Sequence, residues 1–161
     1  MTGAKGDKGD KGDRGPSDGW ERWFCSTDFD PNVCDLPSIN IAWTDYATAP
    51  NLVTLDNLPA GDYLFTVELT ILGQLTSYWH VSCEVVVPHV AAGAGTTSVG
   101  DIPGYARYAT FPIAFGADNV PEGSSAVLRC IRGTGTGADP SLILAEITTI
   151  KVGNLTTSGV G

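Results

Sequence analysis

The chain has 161 residues, 42% of them hydrophobic, with 18 acidic side chains against 9 basic ones. That length holds one domain and a short appendage, and it excludes a multidomain machine. The charges are unevenly distributed: residues 1–17 carry four bases against three acids, and the remaining 144 carry five against fifteen. An acidic body of this kind argues against nucleic-acid binding, whose footprint is a basic patch.

Met1 is followed by a Gly-rich charged repeat rather than an apolar leader. The expectation is a chain made in a host cytoplasm and released by a route that reads no N-terminal signal. No apolar run approaches the length of a membrane span, so no membrane insertion is expected. Four Cys are too few for a disulfide scaffold.

From Gly3 the sequence falls into five triplets, with Gly3, Gly6, Gly9, Gly12 and Gly15 in register, and the register breaks where Asp18 stands in place of the next Gly. Only Gly fits at the axis where three polyproline-II chains wind together, so a strict period of three that ends abruptly predicts a collagen triple helix and hence a homotrimer. Each Lys or Arg in the third place is followed, across a Gly, by Asp or Pro. In a staggered triple helix this sets opposite charges on neighbouring strands close together. Such repeats resemble the collagen-like inserts of bacterial and bacteriophage proteins. At ~3 Å per residue the stalk over residues 1–17 is only about 45 Å long. It is too short to hold alone, and the domain that follows is expected to supply the trimer contacts.

Residues 18–37 read as a junction. Asp18 and Glu21 have the spacing of a capping box, which predicts a helical turn with Trp20, Trp23 and Phe24 on one side. Those rings either plug the point where three strands diverge or pack into their own subunit. Cys25 and Cys34 bracket a loop without a strand pattern; a disulfide between them would stabilise it by about 2–3 kcal/mol. Asp28, Asp30 and Asn32 imitate the start of a calcium loop, but Val33 occupies the Gly position and Ile39 the closing Glu position.

Residues 38–161 read as a head built on period two. In Asp62–Ile71, the residues Tyr63, Phe65, Val67, Leu69 and Ile71 share one face, and Thr66, Glu68 and Thr70 the other. Tyr78–Pro88 sends Trp79, Val81, Cys83, Val85 and Val87 inward. Further strands are predicted at Ile39–Tyr46, Leu52–Asp56, Arg107–Phe115, Ala126–Ile131 and Leu142–Val152. In the last, the apolar parity changes between Ile147 and Ile150, which predicts a β-bulge at Thr148-Thr149. Seven or eight antiparallel strands predict an all-β, jelly-roll-like sandwich. The stretches Ala91–Gly100, Asp101–Tyr108 and Gly133–Asp139 read as adaptable loops, with Tyr105, Arg107 and Tyr108 as a possible contact patch.

A collagen repeat, a head of this size, the run Leu55-Asp56-Asn57-Leu58-Pro59-Ala60-Gly61-Asp62-Tyr63-Leu64-Phe65 and a last hydrophobic strand, Ala145–Gly153, together resemble the complement-type and tumour-necrosis-factor-like trimeric heads. They also resemble the collagen-stalked fibre and decoration proteins of tailed bacteriophages. The resemblance implies a trimeric virion appendage on the capsid or tail, whose partners are itself, other virion proteins and, for a head that serves host attachment, a host-surface glycan or receptor.

Motifs for chemistry are weak. His80 and His89 flank Cys83, but His80 and Cys83 differ by an odd number and point to opposite faces of an unbroken strand, which argues against zinc. Cys83 and Cys130 read either as small core residues or as a disulfide between facing strands. Ser98 misses the nucleophile-elbow spacing, and no phosphate loop is present. The expectation is a protein that is not an enzyme and needs no cofactor.

Overall fold

The computed structural model describes residues 19–26, 28, 30–32, 34, 36–73, 78–88, 96–102 and 108–153. Within them lie nine strands: β1 (Gly19–Cys25), β2 (Ile39–Asn40), β3 (Val53–Leu58), β4 (Gly61–Leu72), β5 (Tyr78–Val86), β6 (Thr96–Ile102), β7 (Tyr108–Val120), β8 (Ser124–Thr136) and β9 (Ser141–Val152). There is no helix among the described residues, and so none long and apolar enough to cross a membrane. The glycines of the predicted stalk, Gly3, Gly6, Gly9, Gly12 and Gly15, lie outside the described residues.

The strands form two antiparallel sheets. One has the order β1-β9-β4-β7, with β2 joining β9 beside β1; the other has the order β3-β8-β5-β6. The chain passes from one sheet to the other between β2 and β3, β3 and β4, β4 and β5, β6 and β7, β7 and β8, and β8 and β9. Each sheet therefore gathers strands distant in sequence, and the inner faces share one core. Alternation builds that core. Tyr63, Phe65, Val67, Leu69 and Ile71 of β4 are all buried, as are Trp79, Val81, Cys83 and Val85 of β5. Phe65 stacks on Phe115 with ring centroids 5.0 Å apart. Such aromatic pairs add about 1 kcal/mol to the burial of their area.

Tight turns close the connections. Between β7 and β8, Ser124 N donates to the Pro121 carbonyl at 3.3 Å, and Gly123 takes φ 76°. That left-handed backbone at the third turn position is the one that favours glycine.

Four sequence expectations change. The turn over residues 18–24 is not helical: Gly19–Cys25 is a full strand, paired from Gly19↔Ile150 to Cys25↔Leu144. One capping box cannot outweigh seven residues of ladder bonds available beside β9. The segment read as a junction thus supplies a strand to the sheet of the head. The predicted strand Ile39–Tyr46 shrinks to Ile39–Asn40, because Asp45 accepts from the Ala47 amide at 2.9 Å and turns the chain there. Thr96–Ile102, read as loop, pairs with β5 from Trp79↔Ile102 to Glu84↔Thr96.

The bulge also moves. Pairing runs unbroken from Leu64↔Ile150 to Thr70↔Leu144 and shifts only at Ile71↔Leu142, so the extra residue is Ile143, not Thr148 or Thr149. The inward place that parity gave to Ile150 is held by Thr149, which is 1% exposed and donates its hydroxyl to the Leu64 carbonyl at 3.0 Å. A buried hydroxyl with its hydrogen bond made is tolerated in a core, which frees Ile150 to point outward.

Candidate functional site

The outer face of the β1-β9-β4-β7 sheet is the most distinctive surface of the head. Register sets Leu64, Thr66 and Glu68 of β4 beside Ile150, Thr148 and Glu146 of β9 on one side, and beside Gly116, Ala114 and Pro112 of β7 on the other. Leu64 is 39% exposed and Ile150 is 45% exposed, directly opposite each other. Two adjoining shallow depressions lie on this face. One is lined by Leu64, Thr66, Thr148 and Ile150, and the other by Thr66, Glu68, Pro112, Ala114, Glu146 and Thr148.

Glu68 and Glu146 also stand directly opposite, and Glu21 of β1 is paired with Thr148, one place diagonal to Glu146. Cross-strand neighbours have Cβ atoms about 5 Å apart, so the two carboxylates repel. The Thr148 hydroxyl donates to Glu146 at 3.0 Å and is the one hydrogen bond to either carboxylate among the described residues. No Lys or Arg occupies an outward register of this face among the described residues. The apolar and hydroxyl-bearing positions of this face lie between Asp62, toward the Gly19 end, and the opposed Glu68 and Glu146 further along.

The outer face of the other sheet is built differently. Residues 41–52 run along β8: Arg132 N donates to the Trp43 carbonyl at 2.7 Å, Leu52 N to Leu128 at 2.9 Å, and Arg129 Nε to Asn51 at 3.1 Å. Arg132 also bridges Asp139 at 2.6 Å and sits 4.7 Å from the centroid of Trp79, whose indole donates to Ala138 at 2.6 Å. These contacts pin the 41–52 segment and the β8–β9 connection to the sheet. Tyr46 is held there too; burial first, then the nearby Glu84 carboxylate, push its phenol up to about 12, partly offset by the Ser82 hydroxyl.

The residues singled out from sequence fall in separate regions. Phe24 enters the core of its own subunit, and Trp20 packs edge-on against Tyr63 with centroids 5.7 Å apart. Trp23 lies in β1 between them, and its side chain lies outside the described residues. Cys25 is bonded to Cys34, and within that loop the Asp30 carboxylate accepts from the Asn32 amide at 2.9 Å. Cys83 is bonded to Cys130, directly across the β5–β8 ladder, with both sulfurs in the core. Tyr108 opens β7 and is 46% exposed; Tyr105, Arg107 and His89 lie outside the described residues. No group of three or more His, Cys, Asp or Glu gathers at metal-binding distance among the described residues.

Sequence reasoning missed Leu64 and Ile150. Leu64 shares parity with the polar residues of β4, which was the available signal. Ile150 was hidden because a lone Ile after a Thr-Thr pair reads as an inward residue past a bulge.

No family model matches the chain, and no curated protein does. Among solved structures, the exo-β-1,3-galactanase of Phanerochaete chrysosporium in complex with galactose is similar at a TM-score of 0.38 and 14% identity. That alignment covers 81% of this chain but only 27% of the galactanase. At that score the likeness carries no argument about function.

Proposed function

We propose that this chain is a homotrimeric structural appendage of a tailed-bacteriophage particle, a fibre or decoration protein whose collagen-like stalk, residues 1–17, leads into a jelly-roll head. The observation that carries the reading is the break of the glycine register: the last in-register Gly15 stands four residues before β1 opens at Gly19. Three chains wound to that point deliver three heads to one axis. The strand orders β1-β9-β4-β7 and β3-β8-β5-β6 are those of a jelly roll, a fold suited to packing as trimers, and they support the reading. The acidic charge of the body keeps the head clear of packaged nucleic acid. The expected location is the virion, after synthesis in the host cytoplasm and release.

A host-attachment head is the second reading. It is favoured by Tyr108, exposed where β7 opens at the edge of the β1-β9-β4-β7 sheet and preceded in sequence by Tyr105 and Arg107. Gold-labelled antibody against the head, applied to particles of the phage that encodes it, tests the two readings together with a cell-binding assay. Label on intact particles with no binding of the purified protein to host cells supports a structural role. Saturable binding to cells or to their polysaccharide supports host attachment, and shortening of that polysaccharide would overturn both in favour of an enzyme. Absence of label from intact particles overturns the virion assignment.

A further inference from the structure

We propose that the Cys25–Cys34 bond is a thiol-exchange site, a clasp on β1 that small thiols open while the head stays folded and keeps its second disulfide. The two bonds differ in access. Cys83 and Cys130 are 0% exposed and face each other across the two central strands of their sheet, so a reductant reaches them only when that sheet comes apart. Cys34 is buried, but Cys25 is partly exposed, and the loop between the two presents Asp28, Pro31 and Asn32 to solvent. Exchange needs an approach to only one sulfur of the pair.

The thiolate of a small monothiol attacks Sγ of Cys25, the S–S bond breaks, and Cys34 leaves as a thiolate. A second thiolate attacks the reagent sulfur of the mixed disulfide and frees Cys25. Two reagent thiols become one disulfide, one protein disulfide becomes two thiols, and the two protons given up by the reagent return to Cys25 and Cys34. Asp28 and Asp30 stand within the loop, and no Lys or Arg lies between the two cysteines. The local field is negative, so it repels an anionic thiol and favours an aminothiol, by a margin that salt narrows.

The topology says what the clasp holds. Within its sheet β1 is bonded to β9 alone, and β9 keeps β4 on its other side. β1 can therefore lift without dismantling the sheet. Its last residue, Cys25, pairs with Leu144, and Ser26 N then donates to the Ile143 carbonyl at 2.8 Å. After the loop the chain returns to the same strand, where Ile39 pairs with Leu142. The disulfide closes the excursion between these two holds on β9. Once it is cut, β1 is kept by its ladder and by Phe24 and Trp20 in the core. Residues 1–18 are joined covalently to the head through β1. The redox state of one bond thus sets how firmly everything before Gly19 is tied to the head, whatever the number of chains in the assembly.

The test treats the full chain, purified without reductant, with millimolar 2-aminoethanethiol or 2-mercaptoethanesulfonate under native conditions. Free thiols are alkylated and located by peptide mass spectrometry, and hydrogen exchange is read peptide by peptide. Cys25 and Cys34 should be alkylated while Cys83 and Cys130 stay bonded. Exchange over Gly19–Cys25 should quicken by about tenfold or more, with Gly61–Leu72 and Tyr78–Val86 unchanged. The variant Cys25→Ser/Cys34→Ser should show the fast β1 exchange with no thiol added. The aminothiol should react faster than the sulfonate, and added salt should narrow the ratio; a ratio that salt leaves unchanged overturns the assigned class of thiol. Alkylation of all four cysteines together, a Cys25–Cys34 bond that yields only in denaturant, or its reduction with β1 exchange unchanged overturns the clasp. These readouts are independent of oligomeric state, so the trimeric reading stands or falls separately.

Discussion

The Tyr46 phenol is carried by a segment without regular structure, yet its hydroxyl is buried. With burial and then Glu84 raising its proton affinity to about 12 from 10.0, the folded chain keeps this proton more tightly than the unfolded chain does. The resulting stability is complete below pH 10 and is lost as pH rises through about 12. Absorbance titration of the phenolate should resolve one tyrosine ionising near pH 12, and Tyr46→Phe should remove that step while leaving the others. Persistence of the late step in Tyr46→Phe would place it on another tyrosine. At the same scale, Thr149 and Ile150 exchange the roles that hydrophobicity assigns them. The threonine hydroxyl finds a carbonyl at 3.0 Å in the core, and the isoleucine faces out.

Strands pair according to what lies beside them, which explains which elements could be read from the chain alone. β4 and β5 carry strict alternation over long runs, and every inward residue named from their periodicity is buried. β6 could not be read, because Thr-Thr-Ser-Val-Gly-Asp-Ile has no apolar period and is a strand by virtue of the β5 edge beside it. β1 combined a local helix-start signal with a β partner some 120 residues later; nothing in the seven residues themselves announces β9. The candidate face was half legible. Thr66 and Glu68 followed from β4 periodicity, while Thr148 and Ile150 required knowing that a hydroxyl could be satisfied inside. The Cys83–Cys130 bond ties the two central strands of the second sheet across a separation of 47 residues. A loop of that length, closed in the unfolded chain, is worth about 4 kcal/mol in the chain-entropy account. Replacing both by Ala should lower the denaturant-extrapolated stability by about 3–5 kcal/mol, the upper part from core atoms lost. A loss below about 1 kcal/mol would mean that the bond adds nothing beyond packing.

For the molecule as a whole, the uneven charge gains meaning from the proposed trimer. Each body of 144 residues carries ten more acids than bases, so three bodies gathered as proposed would carry about −30, beside N-terminal repeats that are nearly neutral. Such a field would repel like-charged neighbours and weakens as salt screens it over about 10 Å. Five glycine triplets are too few to hold three chains alone, so the proposed trimer needs its lasting contacts in the heads. The mass of the full-length protein in solution tests this most directly. Sedimentation equilibrium should return three times the 16.8 kDa chain, about 50 kDa, at micromolar concentration. A protein that sediments as a single 16.8 kDa chain while its head remains folded would contradict the account.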